Sequence, residues 1–132
     1  MKQSFKKSIE TDLAPSPVGP YSQAVLAGDW LYCSGQIPLD PSTGLIVGNG
    51  SILEDTRQVL KNLLAVLSAS NASSSQVVRT TIYLVNLKDF QEVNKIYSEE
   101  FNQEVSPARA CVEVSGLPKG AQVEIDCIAW LG

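Results

Sequence analysis

The chain has 132 residues, with ten Lys and Arg against fourteen Asp and Glu, and it contains no histidine. A composition that is 44% hydrophobic and 18% charged is typical of a single globular domain, here residues 1–132. No apolar run approaches the ~20 residues of a membrane helix, the net charge of −4 disfavours a dedicated nucleic-acid binder, and the missing histidines exclude imidazole zinc sites and His-activated nucleophiles.

The N-terminal third is predicted to form short strands joined by a proline-rich loop. Residues 1–10 carry three lysines but no apolar run, so we expect no secretory signal there and a short strand near Ser8. A stiff loop with three prolines follows at 14–20. In the segment 21–34, two apolar runs flank a short glycine-containing turn, which is the pattern of a β-hairpin.

The clearest helix is predicted over residues 51–70. Ser51 and Glu54 have the spacing of a capping box, in which the serine hydroxyl accepts from a helix amide and the glutamate returns to the serine amide. Leucines at helical spacing place one apolar stripe along this helix: Leu53, Leu60, Leu63, Leu64 and Leu67.

Three strands and a second helix are predicted in the rest of the chain. Residues 77–85 alternate and are rich in β-branched side chains, which predicts a strand whose shared face holds Val78, Thr80, Ile82 and Leu84. A helix is predicted over 87–101, with an apolar stripe of Phe90, Val93, Tyr97 and Phe101. The last two strands are predicted at 108–114 and 121–130.

These elements predict an α+β fold with a mixed sheet of about six strands and two helices on one face. Each helix lies between strands, and such crossovers lay helices against a sheet. Two helices cover one face, so the other face has no cover from its own chain. Because Ile128 and Trp130 alternate onto that second face, we expect a second copy of the chain to bury it, as in a homo-oligomer.

Arg109 is the strongest candidate for binding a small anion. It lies at the start of a strand of small and β-branched residues, and alternation places it on one face with Cys111 and Glu113. A guanidinium offers a rigid fork that suits a carboxylate or a phosphate. The alternative is an ion pair with Glu113 or Asp126, and Cys111 is by default a small buried hydrophobic residue.

Three further segments are candidates, each with a plain structural alternative. Tyr21 ends the proline-rich loop and is either a ligand-binding hydroxyl or a packed aromatic ring. Ser34 and Gly35 end a strand where a ligand can approach the backbone, or where the chain simply bulges. Glu124 lies inside the last apolar strand and must be solvated, paired or functional.

The cysteines are three in number, far apart and without a C-x-x-C pair: Cys33, Cys111 and Cys127. This pattern predicts reduced thiols in a reducing compartment and no thiolate metal site. We therefore expect a cytoplasmic protein, and the lysines near the N-terminus leave a mitochondrial address open.

Together these segments resemble the RidA/YjgF family of enamine/imine deaminases over essentially the whole chain. Four spaced motifs carry the resemblance: Val18-Gly19-Pro20-Tyr21-Ser22-Gln23-Ala24-Val25 after Ala14-Pro15, Ser34-Gly35-Gln36-Ile37-Pro38, Pro107-Ala108-Arg109 with Cys111-Val112-Glu113-Val114, and Leu117-Pro118-Lys119 running to Val123-Glu124-Ile125.

The resemblance implies a chorismate-mutase-like sandwich that assembles as a homotrimer with active clefts between subunits. It implies hydrolysis of 2-iminopropanoate and 2-iminobutanoate to 2-oxo acids and ammonia, with no metal and no cofactor. Arg109 matches the residue that grips the substrate carboxylate, and Glu124 matches the residue that positions or activates water. Further matches to the family's pocket are Tyr21, Ser34, Gly35, Cys111 and, on a helix, Asn94.

Two other functions stay open, an endoribonuclease or translation inhibitor and a non-enzymatic ligand-binding or chaperone-like protein. The loop at 116–120 is not a two-residue turn, so the register between the last two strands is unfixed. That Arg109 and Glu124 face one cleft is therefore implied by the resemblance alone.

Overall fold

The computed structural model describes residues 5–132 and contains six strands and two α-helices in this range. Short 3₁₀ turns precede β4 and α2 and lie between the last two strands. In chain order the elements are β1 (Lys6–Ile9), β2 (Ala24–Ala27), β3 (Trp30–Gln36), α1 (Ile52–Ala69), β4 (Val77–Leu84), α2 (Phe90–Glu100), β5 (Ala108–Glu113) and β6 (Val123–Trp130).

The strands form one mixed sheet in the order β1-β2-β3-β6-β4-β5. Only the β4–β5 pair is parallel, and the connection between these two strands runs through α2. Alternate residues of the central strands pack with both helices in one core, as Leu31, Ile82 and Ile125 illustrate. The predicted α+β two-layer sandwich is therefore confirmed.

The helix α1 begins as predicted but packs on a slightly different stripe. The Ser51 hydroxyl accepts a hydrogen bond from the Glu54 amide (3.3 Å), as a capping serine should. The other half of the capping box is wrong, because the Ser51 amide donates to the Gly48 carbonyl instead. Leu53 is 37% exposed, since its neighbour Ile52 faces the core. Neither α1 nor α2, the helices of the described range, is long and apolar enough to cross a membrane.

The strand β4 carries a bulge that corrects its predicted face. The register with β6 shifts between Val77 and Arg79, which rotates the first residues of the strand relative to the rest. Val77 is therefore buried and Val78 is 41% exposed, whereas Thr80 and the alternate residues after it do face the core. The prediction that Val78 shares a face with Thr80, Ile82 and Leu84 is wrong.

The face of the sheet opposite the helices carries a group of large apolar side chains that the single chain leaves uncovered. We call it the open face and define it by Trp30, Tyr32, Val112, Ile128 and Trp130, of which the two tryptophan rings lie 6.4 Å apart. Each tryptophan is more than 40% exposed. A monomeric domain rarely exposes so many large apolar side chains together.

Candidate active site

The predicted site residues lie in two separate groups. The Arg109 group consists of Asn94, Arg109 and Cys111 at the edge strand β5 and the helix α2. The Glu124 group consists of Tyr21, Ser34, Gly35 and Glu124 around the end of β3.

Arg109 is held by neutral groups on one face of α2. Its Nη1 donates a 2.5 Å hydrogen bond to Asn94 Oδ1. Its Cζ lies 5.4 Å from the ring centre of Phe90 and 4.9 Å from that of Tyr97, both within the range of a cation–π contact. The three partners are spaced i, i+4 and i+7, so they follow one another along the same side of the helix.

The ion pair considered as an alternative for Arg109 does not form. Glu113 accepts a hydrogen bond from the Leu87 amide (2.9 Å), and Asp126 accepts one from the Tyr83 hydroxyl (3.0 Å). The salt bridge found within residues 5–132 joins Arg57 to Glu99 instead. The positive charge of Arg109 therefore has no carboxylate partner in the described chain.

Arg109 and Cys111 line a cleft of about 620 Å³, which we call the Arg109 cleft. Its other walls come from the start of α2 and the turn before it: Leu87, Lys88, Phe90 and Gln91. Burial raises the pKa of the Cys111 thiol, and the nearby charge of Arg109 only partly opposes this. Cys111 is therefore a neutral thiol at pH 7 and serves as a wall of the cleft.

The Glu124 group is built against backbone. A Cβ placed on Gly35 would lie 2.5 Å from Glu124 Oε2, so the carboxylate occupies the space that any other residue at position 35 would fill. The register of β3 against β6 shifts between Cys33 and Gln36, which places Gly35 within this irregular stretch. Ser34 Oγ donates to the Ser22 carbonyl (2.6 Å) and so ties β3 to the segment that carries Tyr21.

The surroundings of Glu124 raise the pKa of its carboxyl. Loss of solvent raises the pKa of this carboxyl, and the negative charge of Asp126 two residues along the strand raises it further. Tyr21 borders a small cavity next to Gly35 and is 46% exposed. The group thus combines a carboxylate of increased basicity with an accessible phenol.

Sequence reasoning missed two buried amides that position the second group. Gln23 is almost fully buried and donates to the carbonyls of Thr11, Ala14 and Pro15, which fastens the proline-rich loop. Asn62 is fully buried in α1 and donates to the carbonyls of Ile37 and Leu39, just after Gly35. The sequence signal for both residues is an amide side chain among apolar residues, because a buried amide group must find hydrogen-bond partners.

The sheet itself separates the two groups. Arg109 pairs with Thr80, whose side chain is buried beneath the helices, whereas Glu124 pairs with Tyr83 on the alternate face of β4. Paired residues project to the same side, so Arg109 faces the helix layer and Glu124 the open face. One chain therefore does not bring Arg109 and Glu124 together.

Residues 5–132 contain no cluster of side chains suited to binding a metal ion. No three Cys, Asp or Glu side chains in this range are grouped so that they could hold a metal ion.

The matches to known proteins extend over nearly the whole chain. Residues 11–131 match the family model described as "Endoribonuclease L-PSP". The human 2-iminobutanoate/2-iminopropanoate deaminase is 42% identical over 132 residues, covering 100% of this chain and 95% of that protein. A Rid-family protein of unknown function from Yersinia pestis superposes with a TM-score of 0.91 at 50% identity, covering 95% of this chain and 98% of that one. Escherichia coli TdcF with bound serine superposes with a TM-score of 0.90 at 37% identity, covering 96% and 99%.

Proposed function

The chain belongs to the endoribonuclease L-PSP family, the RidA/YjgF/RutC proteins, and on that premise we propose that it hydrolyses 2-iminobutanoate and 2-iminopropanoate. The products are the corresponding 2-oxo acids and ammonia. The observation that carries the proposal is Arg109, a guanidinium in an open cleft with neutral partners only. A small carboxylate would supply the counter-charge that Arg109 does not receive from the described chain.

The Arg109 group would bind and orient the substrate. A 2-imino acid is a small planar carboxylate whose C=N carbon is open to attack. Arg109 uses one Nη1 hydrogen for Asn94, and its remaining donors suit a carboxylate bound through parallel hydrogen bonds. Holding the carboxylate fixes the position of the adjacent imine carbon, which lowers the entropic part of the barrier.

The Glu124 group would deliver water. In the proposed step, the substrate reacts as its protonated imine, and the Glu124 carboxylate takes a proton from water as the water oxygen bonds to the imine carbon and the C=N π electrons pass to nitrogen. The resulting carbinolamine carries both a hydroxyl and a neutral amino group on that carbon. The proton held by Glu124 then passes to this nitrogen, the C–N bond breaks and ammonia leaves, and the hydroxyl proton passes to the Glu124 carboxylate and on to solvent as the carbonyl of the 2-oxo acid forms. A carboxyl with a raised pKa suits this exchange in both directions.

The two groups would meet between subunits. Arg109 and Glu124 lie on opposite faces of the sheet in one chain, so we infer a homotrimer in which each cleft combines the Arg109 group of one subunit with the Glu124 group of the next. The uncovered tryptophans of the open face support such an assembly, because association would bury them.

The activity is tested by generating 2-aminocrotonate and its imine with a threonine dehydratase in the presence of semicarbazide. Active protein should reduce the trapped semicarbazone and speed the formation of 2-oxobutanoate, and exhaustive chelation should leave this effect unchanged. An unchanged semicarbazone yield with folded protein would overturn the proposed reaction. Loss on chelation with recovery on adding zinc would overturn the metal-free mechanism.

The shared cleft is tested by mixing two inactive variants, Arg109→Ala and Glu124→Gln, after reversible dissociation. In a randomly mixed trimer about one quarter of the clefts would regain both intact groups if they come from different subunits. Activity should therefore return to about a quarter of the wild-type value. If both groups acted from the same subunit, no mixture would recover activity.

RNA cleavage is the second candidate, because the family description names an endoribonuclease. The acidic balance of the chain and its lack of histidine weigh against it. Incubating the same preparation with a labelled single-stranded RNA separates the two functions. We expect intact RNA under conditions where imine hydrolysis is complete.

A further inference from the structure

Two separate cavities border the Arg109 side chain. On one side is the Arg109 cleft, and on the other is a second cavity of about 460 Å³ next to the end of α2. This second cavity is lined by Tyr97, Ser98, Phe101, Asn102, Ser106, Pro107 and Arg109. A flexible arginine on an edge strand thus has room to turn either way, and something must select one orientation.

The two aromatic rings that contact Arg109 line different cavities. Phe90 lines the Arg109 cleft, and Tyr97 lines the second cavity. The guanidinium contacts both rings and also donates to Asn94. Its place between the cavities is therefore set by side chains of α2 and not by a counter-charge.

Tyr97 is the more firmly fixed of the two rings. It is buried, its hydroxyl shares a 2.8 Å hydrogen bond with the hydroxyl of Thr80, and its ring contacts that of Phe101 at 4.6 Å. Thr80 is fully buried and is also the residue that pairs with Arg109 across β4 and β5. Tyr97 therefore links the Arg109 guanidinium, through its ring, to the buried Thr80 hydroxyl on the neighbouring strand.

We propose that Tyr97 is a positioning residue, whose ring, fixed by its hydrogen bond to Thr80, holds the Arg109 guanidinium at the boundary between the two cavities, where it lines the Arg109 cleft and can bind a carboxylate there. Tyr97 acts through Arg109 and does not touch the substrate. The inference rests on the proposed role of Arg109 as the carboxylate-binding group.

The test removes the hydrogen bond and keeps the ring. Tyr97→Phe and Thr80→Val each delete one hydroxyl, and Thr80→Ser keeps it. The probe is 2-oxobutanoate, a stable carboxylate of the product class, titrated by NMR. We expect Tyr97→Phe and Thr80→Val to weaken its binding about fivefold, because a ring that is no longer fixed leaves the guanidinium in its binding orientation only about a fifth of the time. Thr80→Ser should bind it as wild type does.

A matched control separates positioning from stability. Thr56 is another fully buried threonine, whose hydroxyl donates to the Ile52 carbonyl (2.7 Å) in α1, away from Arg109. Thr56→Val should lower Tm as Tyr97→Phe does but leave 2-oxobutanoate binding unchanged. In steady-state kinetics, Tyr97→Phe should raise KM for 2-iminobutanoate and leave kcat close to wild type, because the Glu124 group is untouched.

A spectroscopic measurement reads the arginine directly. The chain has three arginines, so Arg109 is identified in ¹⁵N-arginine spectra by its absence from Arg109→Lys. Rotation of its guanidinium should be slow in the free wild type and faster in Tyr97→Phe. Unchanged rotation together with unchanged 2-oxobutanoate affinity in Tyr97→Phe would overturn the inference.

The outcomes also separate this inference from the proposed function. Weaker 2-oxobutanoate binding in Tyr97→Phe without any imine hydrolysis by wild type would support positioning and overturn the reaction. Rapid hydrolysis by wild type, with Tyr97→Phe equal to it in KM and in 2-oxobutanoate affinity, would support the reaction and overturn positioning.

Discussion

The Arg109 group and the Glu124 group are built in opposite ways. Arg109 is surrounded by side chains from one helix face, with Phe90, Asn94 and Tyr97 each contacting the guanidinium. Glu124 lies against the backbone of an irregular strand end, where Gly35 leaves it space. The first group depends on the chemistry of its side chains, and the second on the volume left beside a backbone.

This difference determines how each group fails. A change of side-chain chemistry should damage the Arg109 group while the fold persists, because an exposed guanidinium contributes little to stability. An added methyl group should damage the Glu124 group without any change of charge.

The largest effect is expected from Arg109→Ala. In the proposed mechanism it removes two charge-assisted hydrogen bonds to the substrate carboxylate, worth ~1.5–3 kcal/mol each, so kcat/KM for 2-iminobutanoate should fall about 100-fold or more. Arg109→Lys should recover only part of this loss, because an ammonium does not provide the planar fork. Kinetics and Tm are measured on the same preparations.

Arg57 provides the matched control for Arg109. It forms an exposed ion pair with Glu99 at 3.0 Å, the kind of contact worth ~0–1 kcal/mol of stability. Arg57→Ala should leave kcat/KM unchanged. An Arg109→Ala variant that folds and keeps near wild-type kcat/KM would falsify the assignment of the carboxylate-binding group.

The next effect is expected from Glu124→Gln. This change keeps the size of the side chain but removes the proposed general base, a contribution of roughly 100-fold in kcat. KM should change little because the carboxylate is bound by the other group. The control is Glu113→Gln, since a glutamine oxygen still accepts from the Leu87 amide. Equal losses in both variants would show that the effect is not specific to position 124.

The elements of the fold could be predicted from the sequence because they depend on local periodicity. The hairpin and α1 follow from apolar spacing, a glycine-containing turn and a capping serine, and both lie close to their predicted bounds, whereas α2 begins at Phe90 after a 3₁₀ turn at Leu87–Asp89. The bulge at Val78 could not be predicted, because it depends on how β4 pairs with β6. Alternation alone assigns every second residue to one face and contains no information about a shift of register.

The site was predicted as separate residues and not as an arrangement. Arg109 and Glu124 were each singled out, but only the strand register shows that they lie on opposite faces of the sheet. The alternative for Arg109 is an ion pair with Glu113 or Asp126, and the structure instead gives it the amide of Asn94, since α2 packs beside the guanidinium. Such partners depend on tertiary packing and leave no local signal.

A smaller effect is expected from Gly35→Ala. The added Cβ would come within 2.5 Å of Glu124 Oε2, and the end of a flexible side chain moves more easily than the backbone. Glu124 should therefore be displaced, with kcat/KM reduced about 10-fold and a modest loss of Tm. In Gly116→Ala, where a Cβ meets nothing within 4 Å, both quantities should match wild type. Full activity in Gly35→Ala would show that the Gly35–Glu124 contact has no role in catalysis.

The smallest effect is expected from Asp126→Asn, measured as the acid limb of the pH profile of kcat/KM. In the proposed mechanism activity needs ionised Glu124, and burial together with the charge of Asp126 raises the pKa of that carboxyl above its usual 4.5. The wild-type profile should therefore fall at a higher pH than an ordinary glutamate would give. Asp126→Asn removes one negative neighbour, which lowers the pKa of Glu124 and moves the acid limb to lower pH, while the amide oxygen can still accept from the Tyr83 hydroxyl. The control is Asp40→Asn, since Asp40 is held by Ser42 in a distant loop and should leave the limb in place. An acid limb that moves to higher pH in Asp126→Asn, or stays fixed, would mean that a group other than Glu124 controls the reaction.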